Sequence, residues 1–96
     1  MYKIDTQPTF ERSYLKLADK NPELIKRIGK TLKLLKANPN YPSLKSHKIQ
    51  TPDFRERWSS RVTGDIRLIW DFDEENNLVI LVLDIGGHSG GGKVYR

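Results

Sequence analysis

The chain has 96 residues, 36% hydrophobic and 30% charged, with 17 Lys+Arg against 12 Asp+Glu for a net charge of +5. That length suits a single domain over residues 1–96, and the absence of cysteine excludes disulfides and thiolate metal sites. Two histidines without an HxxxH spacing give no basis for a metal or other cofactor site, while the positive balance favours a polyanion such as nucleic acid, or an acidic protein.

"YKID" (residues 2–5) alternates briefly and reads as a first strand. Pro8 then stands where a helix can begin, and Phe10, Tyr14, Leu17 and Ala18 recur at helical spacing. A second helix start follows at Asn21-Pro22-Glu23: a capping residue, a proline at the first helical position and an acid in the first turn. Leu24, Ile28, Leu32 and Leu35 mark its apolar stripe, Lys26, Lys30, Lys33 and Lys36 a charged face, and "NPNYP" (residues 38–42) stops it. The period then changes. "RWSSRV" (57–62) and "IRLIWDF" (66–72) read as strands around a "TGD" turn, and "LVILVLDI" (78–85), apolar on both faces, reads as a central strand. The order predicts an α+β fold: an N-terminal strand, a two-helix hairpin, then an antiparallel β-meander with the helices on one sheet face.

No apolar run reaches membrane-spanning length, the longest being "LVILVL" (78–83). The first ten residues lack the apolar core of a signal peptide, so a cytoplasmic location and no membrane partner are expected. The tail "GHSGGGK" (87–93) matches GxxxxGK of a phosphate-binding loop. Val94 stands where Ser or Thr is required, however, and only two residues follow it, too few for the helix that such a loop needs.

"WSSRVTGDIRLIWDF" (58–72), "IGGHSGGGKVY" (85–95) and "SHKI" (46–49) together resemble the RelE/ParE superfamily of bacterial toxins, which includes the RelE, YoeB and YafQ messenger-RNA endonucleases. The resemblance implies the RelE-like microbial RNase fold and the toxin of a type II toxin–antitoxin pair. Its activity would be metal-independent cleavage of messenger RNA in the ribosomal decoding site, beside 16S rRNA, blocked by a cognate antitoxin. By position, Arg67 matches the arginine that stabilises the scissile phosphate, His88 the C-terminal general acid, and Tyr95 the late aromatic that meets a base. His47 and Asp65 match acid/base positions of YafQ-like members, and Arg61 stands where those members carry another histidine. The identity of the base is thereby left open between the YoeB and YafQ patterns. Lys45, Lys48, Arg55, Arg57 and Lys93, with the lysines of the second helix, are the expected RNA-phosphate contacts.

These roles suit the chemistry. Metal-free RNA cleavage needs a group to take the 2′-hydroxyl proton, one to protonate the departing 5′-oxygen, and cations for the phosphorane. Histidine serves either proton role near neutrality, and arginine presents a fixed fork of donors to phosphate oxygens. Two other readings share parts of the pattern: a ParE-like poison of DNA gyrase, which has no use for acid/base residues, and a non-catalytic basic RNA- or protein-binding module.

Overall fold

The computed structural model describes residues 1–51 and 55–87. Strand β1 (Lys3–Thr6) leads into α1 (Pro8–Ala18) and α2 (Pro22–Ala37). A 3-10 turn, η1 (Pro42–Leu44), precedes β2 (His47–Gln50), β3 (Glu56–Arg61), β4 (Ile66–Phe72) and β5 (Val79–Gly87). The five strands form one sheet in the order β1-β5-β4-β3-β2. All pairings are antiparallel except β1 with β5.

The local signals act as expected. Pro8 and Pro22 open the two helices, and the Asn21 side chain accepts the Leu24 N–H at 3.2 Å. The buried stripe of α2 is Leu24, Ile28, Thr31 and Leu35, with Leu32 only partly covered. Thr31 is tolerated inside because its hydroxyl donates to the Arg27 carbonyl at 2.9 Å. The segment around His47, assigned no element from the sequence, is an edge strand. Its polar sequence HKIQ and exposed side chains suit an edge, where charge discourages further pairing.

β5 carries the feature that sets the site. Ile69 pairs with Asp84 but the next residue, Trp70, pairs with Val82, so Leu83 is an extra residue in β5. Strict alternation from Ile80 and Val82 would turn Asp84 toward the helices. The bulge shifts the phase by one, so Ile80, Val82 and Ile85 all enter the core. Asp84, partly buried beside the bulge, accepts the Ser13 hydroxyl of α1 at 2.7 Å. The same shift brings Gly86 opposite Arg67.

The core lies between the helices and one sheet face, where Phe10, Leu24, Ile28 and Leu35 meet Leu68, Trp70, Ile80, Val82 and Ile85. Trp58 stacks on Trp70 at 5.5 Å, and Phe72 meets Trp70 edge-on at 5.2 Å. A chain of hydroxyls crosses this layer. The Trp70 indole N–H donates to Ser60 Oγ at 2.8 Å, Ser60 and Ser46 lie 2.7 Å apart, and Ser46 donates to the Pro39 carbonyl at 2.9 Å. Since Ser46 spends its proton on Pro39, Ser60 is the donor between the two serines. Ser60→Ala strands the indole N–H and one lone pair of Ser46 in a buried layer. A loss of about 1–3 kcal/mol is expected, read as a melting temperature lower by about 4–8 °C per kcal/mol. An unchanged melting temperature would show that the hydroxyl chain does not hold the sheet.

Candidate active site

Side chains that pair across neighbouring strands share a sheet face. Arg61 pairs with Arg67 and Arg67 with Gly86. His47 pairs with Ser59, Ser59 with Ile69 and Ile69 with Asp84. In β3 and β4, Arg61, Arg67, Ser59 and Ile69 lie on the face opposite the core residues Leu68 and Trp70. The fold thus gathers Arg61 and Arg67 at one end of that face, where Gly86 brings no side chain.

Arg67 is the unusual member. Its Nε and Nη1 are shut off from solvent and have no hydrogen-bond partner among the described residues. Buried donors without partners each cost free energy, more so on a charged group. Arg61, another cation, stands directly opposite at the end of β3, and like charges in a cross-strand pair repel. Two arginines at opposed strand positions are a pair that an anion would answer, and a phosphate fits the donor fork of a guanidinium.

The other expected site residues fall at different distances from this pair. His47 opens β2, exposed, with Nδ1 3.1 Å from the Lys45 carbonyl. Two strand spacings separate β2 from β4, about 10 Å, so His47 is one row and two strands removed from Arg67. Asp65 is exposed in the β3–β4 turn. The side chain shaping that turn is Thr63, whose hydroxyl accepts the N–H groups of Asp65 and Ile66 at 3.2 and 2.9 Å. Gly87, the residue before His88, pairs with Ile66, the residue before Arg67. His88, Lys93 and Tyr95 themselves lie outside the described residues.

Among the expected RNA contacts, Arg57 is tied to Asp71 at 3.3 Å on the same sheet face, and Arg55 lies 3.5 Å from Glu74 with both side chains mostly in solvent. The second pair contributes little to stability. The Lys48 ammonium sits 5.4 Å from the Trp58 ring centre. Lys45 is exposed, at the end of η1. No group of three or more His, Asp or Glu side chains among the described residues is placed to hold a metal ion.

Two further features emerge only in the fold. Arg27 lies on the same side of α2 as Lys26 and Lys30. The Ser46–Ser60 pair gave no sequence signal, because their partnership depends on the β2–β3 register.

Comparison with solved structures decides the fold family. YafQ from E. coli strain BL21(DE3) superposes with a TM-score of 0.68 at 20% identity, covering 91% of this chain and 93% of that one. A YoeB/ParE toxin from Agrobacterium tumefaciens gives 0.73 at 16% identity, covering 91% and 99%. The chain has the RelE/ParE toxin fold. A YoeB-YefM complex from Staphylococcus aureus adds a TM-score of 0.69 at 20% identity, covering 93% of this chain and 99% of that one. No family model matches the chain. No curated protein matches it either. The RelE/ParE toxin fold is seen here through shape and strand order.

Proposed function

We propose that this protein is the toxin of a type II toxin–antitoxin pair and a metal-independent endoribonuclease that cuts messenger RNA in the ribosomal decoding site. The observation that carries the reading is Arg67: a guanidinium with two buried donors that have no partner among the described residues, at a position opposite a second arginine. In the reaction the 2′-oxygen forms a bond to phosphorus as the bond from phosphorus to the 5′-oxygen breaks. A base takes the 2′-hydroxyl proton, and His88, as acid, supplies one to the 5′-oxygen. The products are a 2′,3′-cyclic phosphate and a 5′-hydroxyl end. Arg67 and Arg61 hold the phosphate and meet the charge that builds on it. Such donors act most strongly where charge develops in the transition state. His47 and Asp65 are the candidates for the base, and Tyr95 would stack on a neighbouring nucleotide. Lys45, Lys48 and Lys93 would meet RNA phosphates directly, whereas Arg55 and Arg57 would do so only by exchanging their carboxylate partners. A cytoplasmic site of action follows from the ribosomal target.

The names of the structural neighbours support an antitoxin partner: YoeB is described in complex with YefM as a toxin-antitoxin pair, and YafQ in complex with DinJ. The test is primer extension on cellular messages after induced expression. Codon-positioned cuts are expected for the wild type. A toxic protein that leaves messages whole would favour the gyrase-poison reading. Purified protein dialysed against EDTA and returned to magnesium-containing ribosomes is expected to cut at its original rate, since no proposed step uses a metal of its own. Activity that returns only with added zinc, manganese or nickel would overturn the mechanism.

A further inference from the structure

A groove of about 720 Å³ runs between α2 and the chain from η1 to the end of β3. Five cations line it, Lys26, Arg27, Lys30, Lys45 and Arg61, against one acid, Glu23. Among the described residues these five form no ion pair, whereas Arg55 and Arg57 both do. Lys26 and Lys30 are like charges four apart on α2, an arrangement that weakens a helix unless an anion answers it. Lys45 has a left-handed backbone, φ 47° and ψ 45°, with its N–H on the Pro42 carbonyl at 3.2 Å. Glycine or asparagine fits that conformation better.

Arg61 belongs to both places. It pairs across the sheet with Arg67 and also lines the groove. Resting on the reading of Arg67 as the scissile-phosphate residue, we propose that the groove is a backbone track for the substrate strand itself. The nucleotides on one side of the cut pass from Arg67 over Arg61 and lie between α2 and η1, their phosphates met by Arg27, Lys30 and Lys45. Continuity with Arg67 is what favours the substrate strand over a separate polyanion. The track grips phosphates, so it carries length dependence and salt dependence without sequence preference.

The test uses the whole protein and a labelled RNA made uncleavable by a 2′-deoxy residue at the cut, extended stepwise on its 5′ or its 3′ side. Binding is followed by fluorescence anisotropy across a salt series. For the wild type, extension on one side only is expected to tighten binding. Arg27→Gln with Lys30→Gln, and separately Lys45→Gln, should abolish that gain and flatten the dependence of log K on log salt by about 0.7 for each phosphate no longer neutralised. Lys3→Gln with Lys16→Gln, exposed and away from the groove, should change neither. All these positions are exposed, and melting curves check that the variants fold. Groove variants with wild-type slopes and wild-type length dependence overturn the proposal. So does a defect confined to ribosome association, which would make the groove a site for ribosomal RNA. If Arg67→Met impairs cutting while the groove variants bind normally, the track alone fails. If Arg67→Met also cuts normally, the endonuclease reading fails with it.

Discussion

Arg67→Met is expected to lower the rate of message cleavage by roughly 10²–10³-fold while leaving the protein as stable as before, or more stable. The two effects have one cause. In the free protein, Nε and Nη1 of Arg67 are buried without partners among the described residues, and Arg61 stands opposite. Methionine keeps much of the length and packing of the side chain and removes both the unpaired donors and the repulsion. Relief of even about 1 kcal/mol raises the melting temperature of a domain this size by about 4–8 °C. Catalysis then loses the donors that the phosphorane would have satisfied. A site held ready at the expense of stability is the usual pattern for functional residues. Calorimetry beside single-turnover cleavage on programmed ribosomes separates the cases. A melting temperature that falls by several degrees with cutting intact would make Arg67 a structural residue with an unseen partner.

His88→Gln is expected to cost roughly 10²–10⁴ in cleavage rate with the fold preserved. Glutamine keeps a polar side chain but has no titrating nitrogen to protonate the 5′-oxygen. Two observations motivate this expectation: the resemblance of "IGGHSGGGKVY" to toxin tails, and the pairing of Gly87 with Ile66, the residue before Arg67. The diagnostic measurement is the pH dependence of single-turnover rate. Loss of a proton donor removes the limb that falls at high pH, whereas loss of a mere binding group lowers the whole curve without changing its shape. If the variant cuts at the wild-type rate, another group is the acid, and His47 is the next to try.

The second half of the chain was the more legible. In β4 the limits Ile66–Phe72 follow from alternation alone, because one face is continuously apolar and the turns on both sides are polar. The capping triplet Asn21-Pro22-Glu23 was as clear, since its chemistry is local and needs no partner from elsewhere. β2 was not legible as a strand. His47–Gln50 has little apolar content, and it is extended only because the β3 edge offers it hydrogen bonds. Thr31 carried no core signal for the opposite reason, a polar residue whose bond to the carbonyl four residues back suits it to the core.

What the sequence determined by itself was the set of elements and the chemistry on offer: two capped amphipathic helices, three strong strands, an arginine interrupting an apolar strand, and a histidine among glycines. Periodicity, caps and turns act over a few residues, so these are written locally. Only the tertiary structure decided which groups meet. A single extra residue in β5 puts Ile85 into the core and Gly86 opposite Arg67. The β3–β4 register sets two arginines face to face, and the approach of η1 to α2 turns scattered lysines into one lined groove. Those outcomes depend on how whole elements pack and slide against one another. A one-residue change in strand phase exchanges the two faces of a strand, and no window of sequence contains both partners.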